Sequence, residues 1–193
     1  MASVVAICNR ALQLLGSAYI TSLDDASKAA SECSNCYETL RDAETQANPW
    51  GFAKRQVQLA ALTEAPLFDF SNAFQLPADF LRYLPPRRGF NPDWEIFGRQ
   101  LYTNDAAPLN LTYLAQVTDT AQMHPLFREA LSAAMAFNMC EALTQSNTKK
   151  ADALTTYKLA IQRAKAVSAI EKSPQTAVAD SWVTVRRVGT CSR

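Results

Sequence analysis

The side chains able to do chemistry are few and scattered. The single histidine, His124, stands directly before Pro125 and a helical run. A general base needs a partner to orient it, and nothing near His124 completes a nucleophile–base–orienter set, so it reads as a capping or surface histidine. Cys33-Ser34-Asn35-Cys36 has CxxC spacing, but structural zinc needs a second such half and a redox pair opens a helix after a strand. Here the pair lies inside a helical run, which makes it core packing. The five glycines stand isolated at positions 16, 51, 89, 98 and 189, so the chain has no glycine motif of the kind that cradles a phosphate. Asp24-Asp25 fits a helix N-terminus, where negative charge meets the dipole. Glu38, Asp42 and Glu44 recur at helical spacings that solvation explains better than acid–base work. The expectation is no catalytic residue, no metal ligand and no cofactor.

The possible polyanion contacts are Arg87-Arg88, Arg186-Arg187 and the stripe Lys158, Lys165, Lys172. Against them stand 19 Lys plus Arg and 18 Asp plus Glu, a net charge of only +1. A dedicated nucleic-acid binder carries a clear basic excess because its affinity comes from neutralising phosphates. No apolar run approaches the ~20 residues of a membrane helix. The start Met1-Ala2-Ser3-Val4 lacks the charged n-region of a signal peptide, which predicts a chain made and kept in a cytosol. The cysteines, Cys8, Cys33, Cys36, Cys140 and Cys191, make no disulfide framework for such a compartment.

Four helical segments would position these groups. Ser3 to Leu15 puts Val4, Ile7, Cys8, Ala11, Leu12 and Leu15 on one stripe and stops at Gly16. A second helix, capped by Asp24 or Asp25, runs to about Ala47 before Pro49. From Trp50 to about Thr118 lie six of the nine prolines, which exclude a long helix. Short β-type runs appear there instead: Phe52 to Leu62, Glu95 to Tyr102 around Gly98-Arg99, and Leu109 to Val117. Leu126 to Thr144 is apolar on nearly every side, as befits a helix surrounded by others. Thr148 to Lys172 is amphipathic.

This order predicts an α+β chain. Residues 1–49 and 122–172 would form a four-helix bundle from the N- and C-terminal helix pairs, 50–121 a β-rich inserted lobe, and 173–193 an extended C-terminal arm. Aromatics crowd the middle segment, Phe68, Phe70, Phe74, Phe80, Phe90, Trp94 and Phe97 among them. So many in a small lobe imply that a neighbouring chain covers some, and Trp94 and Phe97 are candidate partner-binding residues. Trp182 has no local core to join and reads as an anchor on a partner, with Arg186 and Arg187 beside it.

Several motifs resemble one family in order and spacing over roughly residues 5 to 170. They are Asn9-Arg10-Ala11-Leu12 to Leu15-Gly16, Ile20-Thr21-Ser22-Leu23-Asp24-Asp25, Tyr37-Glu38 with Arg41-Asp42, Asn48-Pro49-Trp50-Gly51-Phe52-Ala53, and Leu76-Pro77-Ala78-Asp79-Phe80-Leu81-Arg82. Together they resemble the head-to-tail adaptor proteins of short-tailed bacteriophages, the tail tubular protein A family. The resemblance implies a helical bundle plus β lobe assembled as a twelve-subunit ring beneath the portal protein. It also implies a virion location at the head–tail junction, a docking surface for the tail nozzle protein and tail fibres, and a channel through which genomic DNA passes without specific binding. Two rival classes are an oligomeric, nucleic-acid-binding packaging factor and a tail enzyme such as a wall hydrolase. The second would need two carboxylates facing each other in a cleft.

Overall fold

The computed structural model describes residues 3–85 and 93–171. Helix α1 spans Val4–Leu15. Ser3 caps it by accepting from the Ala6 amide at 3.1 Å, and Gly16, left-handed at φ 68°, closes it. Helix α2 spans Lys28–Ala47, and its cap is Ser27, not Asp24 or Asp25. The Asp25 carboxylate turns back instead and accepts from the Thr21 and Ser22 amides at 2.8 and 3.0 Å. A carboxylate can satisfy loop amides as well as helix amides, and here the loop wins. The hydrogen bonds from Ser22 and then Thr21 hold its pKa below the ordinary value.

After a short turn at Gly51–Ala53 come six strands: β1 Lys54–Leu59, β2 Asn72–Gln75, β3 Phe80–Tyr83, β4 Trp94–Phe97, β5 Gln100–Thr103 and β6 Leu109–Ala115. They form two antiparallel sheets, ordered β1-β6-β3 and β2-β5-β4. An Ala61–Phe74 bridge links them. Helices α3, Pro125–Thr144, and α4, Asn147–Ile170, complete the described chain.

This architecture corrects the expectation of a four-helix bundle with an inserted β lobe. The helices do not close on one another. α3 packs on α1, α2 and α4, while α1 barely touches α2 or α4. The remaining side of the helical core is a sheet: Trp50, Ala53 and Leu114 are buried in the same cluster as Leu12, Phe127 and Met135. Strand β6 shows why. Its alternating residues Leu109, Leu111, Tyr113 and Ala115 face a second core with Phe74 and Leu101 of the other sheet, while Leu114 faces the helices. The β1-β6-β3 sheet is thus the middle of three layers, helices on one side and the β2-β5-β4 sheet on the other. Residues 172–193, where the arm was expected, lie outside the described residues.

Candidate functional site

His124 occupies the N-cap of α3, with Pro125 at the first helical position. Its Nδ1 accepts from the Leu126 amide at 3.3 Å, and Nε2 lies 3.7 Å from Glu171 Oε1. The ring is committed to a backbone amide on one side and a carboxylate on the other, which is a capping arrangement and not a triad.

Cys8, Cys33, Cys36 and Cys140 pack in the helical core, and Cys191 lies outside the described residues. Cys33 Sγ sits 3.7 Å from Met139 Sδ, and Cys8, Cys33 and Cys140 are buried. A hydrogen bond with Cys33, and then burial, push the Cys8 thiol far above its ordinary pKa. Cys33 would release the first proton of that pair, because Cys8 would hydrogen-bond its thiolate, and burial opposes even this. Burial lifts Cys36 to about 12. Held protonated, Cys8 and Cys36 are poor nucleophiles and poor metal ligands. Among the described residues no cluster of three His, Cys, Asp or Glu could hold a metal ion.

The carboxylates do not converge. Asp42 pairs with Arg41 at 2.8 Å and accepts from Gln116 Nε2 at 2.7 Å, Glu44 accepts from Tyr157 Oη at 2.6 Å, and Glu38 is exposed. Two grooves indent the helical layer. One, of about 420 Å³, lies between the first turns of α1 and α3. It contains the Arg10–Glu129 pair at 2.6 Å and also Arg128, which leaves its lining with one positive charge in excess. The other, of about 350 Å³, lies between the end of α1, α3 and α4, with Lys149 Nζ donating to the Leu15 carbonyl at 3.1 Å.

Several of the motifs singled out in the sequence hold joints between elements. Asn9 clamps Ile20 in both directions, its Nδ2 donating to the carbonyl and its Oδ1 accepting from the amide, each at 2.9 Å. That fixes the α1–α2 connection. Arg41, buried, lies 5.8 Å from the centre of the Tyr37 ring. Trp50 Nε1 donates to the Glu44 carbonyl at 2.8 Å while its ring meets Phe127 at 5.1 Å, tying the helix-to-sheet junction to α3. Gln46 Nε2 donates to the Leu81 carbonyl at 3.0 Å, and Arg82 Nη1 to the Gln46 carbonyl at 3.1 Å. Asp79 accepts from Tyr113 Oη at 3.0 Å.

Of the residues singled out for partner binding, Trp94 and Phe97 lie on β4, an outer strand, 37% and 49% exposed. Trp94 meets Tyr83 edge-on at 4.6 Å, and Phe97 tilts onto Tyr102 at 4.9 Å, so each ring is only partly covered. Trp182, Arg186 and Arg187 lie outside the described residues, as do Arg87, Arg88, Phe90 and Lys172. More exposed than either β4 ring are Leu67 and Phe68, in the loop between β1 and β2. Sequence reasoning placed Phe68 among the crowded aromatics but had no signal for which of them faced outward. Set against protein-family models and against curated proteins, the chain matches none. No helix among the described residues is long and apolar enough to cross a membrane.

Proposed function

We propose that this chain is a structural head-to-tail adaptor subunit, one copy of a ring seated in the virion between the portal protein and the tail nozzle protein of a short-tailed phage. The ring would continue the DNA channel and give nozzle and tail fibres a docking surface. The observation that carries this reading is the use made of the adaptor-like motifs. Asn9, Trp50 and Arg82 serve at joints between elements, and Arg41 pairs with Asp42 within α2, so what the resemblance shares is a scaffold, and a scaffold's work is done by its surfaces. Half-exposed Trp94 and Phe97 suit burial by a neighbour. Trp182, Arg186 and Arg187 would reach the portal or an adjacent subunit.

Native mass measurement of the full chain, with and without portal protein, tests the reading. A ring, either free or formed only on the portal, is the expected result. A chain indifferent to portal and monomeric in both conditions sinks it. Deleting 174–193 is expected to leave a folded protein that no longer attaches to portal-bearing heads, and normal attachment by that variant removes the role given to Trp182, Arg186 and Arg187.

A nucleic-acid-binding packaging factor is the second reading, favoured by Lys158, Arg163 and Lys165 on the exposed side of α4. It requires DNA affinity of the isolated chain that falls steeply with salt; a flat salt response excludes it.

A further inference from the structure

The four most exposed aliphatic and phenyl side chains among the described residues fall in two places. Leu67 is 94% and Phe68 73% exposed in the β1–β2 loop; Ile170 is 82% and Leu159 58% exposed on α4. Single apolar residues scattered on a surface need no explanation. Leu67 and Phe68 are adjacent, and Leu159 and Ile170 lie about three turns apart on one side of α4. The charges near the first are acidic; those near the second are mostly basic, with Glu171, which follows Ile170, 3.7 Å from His124. Around the loop stand Glu64 and Asp69, with no basic residue between Leu59 and Ser71. On α4 stand Lys158, Arg163 and Lys165, and none of the three has an ion-pair partner among the described residues.

The loop is built to hold its tip outward. The Phe70 amide donates to the Phe68 carbonyl at 2.9 Å across Asp69, whose φ of 69° places it in the left-handed region. Such a three-residue γ-turn is rare and strained for a residue bearing a side chain. Just beyond it the chain is pinned: Ser71 donates through N and Oγ to Asn104 Oδ1 at 2.9 and 3.1 Å, and Asn72 Nδ2 donates to the Asp105 carbonyl at 2.9 Å. Strain held by surrounding anchors marks a segment that is used in that shape.

The helix is built to receive such a tip. α4 packs chiefly on α3, which leaves its outer side open. Leu159, Ala166 and Ile170 recur at i, i+7 and i+11 and make one apolar strip. Arg163 borders that strip on one side, while Lys158 and Lys165 lie about 100–120° round the helix on the other, beyond Gln162, and reach toward it only with their long side chains. Lys149 and Lys150 are engaged elsewhere, with the Leu15 carbonyl and with Glu141. The only acid within the helix, Asp152, sits about two turns before Leu159.

We propose that loop 63–71 of one copy of this chain docks on the outer face of α4 of the next, Leu67 and Phe68 covering Leu159 and Ile170 while Glu64 and Asp69 meet Lys158, Arg163 and Lys165. The loop adjoins the β2-β5-β4 sheet and α4 belongs to the helical layer, the two outermost layers of the stack, so the contact joins different patches of successive copies. A contact of that kind propagates head to tail and closes into a ring when the rotation permits. The inference rests on the adaptor reading for that ring, and the contact itself is tested separately.

The test places the photo-crosslinker benzoylphenylalanine at position 68 of the full chain. Irradiation of the chain, alone up to about 1 mM and on portal-bearing particles, is expected to join position 68 to residues 155–171 of a second copy. Lys158→Glu with Lys165→Glu should cut that yield roughly tenfold, and Glu64→Lys with Asp69→Lys in the crosslinking copy should restore it. All four positions are solvent-exposed, so these variants keep the core. Inter-copy adducts that map elsewhere, or none in either condition, overturn the proposal. Portal attachment without the 68-to-α4 adduct sinks the contact and leaves the adaptor standing; the adduct without portal attachment does the reverse.

Discussion

At the scale of single residues, polar groups that could have met in a cleft are each engaged in tertiary ties. Tyr157 and Glu44 show the consequence. Burial and then the hydrogen bond to Glu44 raise the Tyr157 pKa well above its ordinary value, so the folded chain prefers the neutral phenol. A group whose folded pKa exceeds its unfolded one contributes stability that is complete below the unfolded value and lost as pH rises through the folded one. Urea-unfolding midpoints should therefore begin to decline above pH about 8.5, where the thiols of Cys8 and Cys36 ionise in the unfolded chain, and decline more steeply above about 10, the ordinary tyrosine value. Tyr37, Tyr83 and Tyr113 are raised too, chiefly by burial, so the Tyr157→Phe variant isolates one contribution. Its decline above pH 10 should be shallower than that of the wild type, and equal slopes would remove the role assigned to the Tyr157–Glu44 bond.

At the scale of elements, caps and joints set where each helix begins. Ser27 accepts from the Ala30 amide at 3.1 Å, so Ser27→Ala should cost about 1 kcal/mol, the usual worth of an N-cap. Asp24→Ala should leave stability nearly unchanged if Ser27 is the cap. Urea denaturation of the two variants decides the matter, and the reverse order of losses would return the cap to Asp24. The four helical segments were legible because apolar periodicity in α1, the all-round apolar character of α3 and the stops at Gly16 and Pro49 are local facts. β2 and β3 were not. Each is four residues long and pairs with a strand more than twenty residues downstream, β2 with β5 and β3 with β6, so no neighbouring pattern announces them.

At the scale of the whole molecule, β6 couples the layers, since its two faces belong to two cores. Leu114, fully buried against the helices, lies on a strand whose neighbours Tyr113 and Ala115 face the other sheet. Leu114→Ala should cost about 2–5 kcal/mol. The loss should appear in one transition, with far-UV and near-UV circular dichroism moving together. Two separate transitions would mean that the helical layer and the sheets unfold independently. The same layering puts the β2-β5-β4 sheet, into which the β1–β2 loop leads, and the helical layer that holds α4 on either side of the β1-β6-β3 sheet, so the proposed contact would join different patches of successive copies.

What could be read from residue order alone was whatever depends on near neighbours: the helices with their buried stripes and the strands with clear alternation. The expectation of a closed bundle carrying a separate lobe went wrong because buried stripes announce that a helix has partners without naming them. Only the packed chain decided that α3 takes a sheet as its remaining neighbour, that Asp25 serves a loop, and that Leu67 and Phe68 face solvent while Phe74 lies buried. Each of those outcomes turns on contacts between residues far apart in sequence, where burial of one side chain depends on which distant element arrives to cover it.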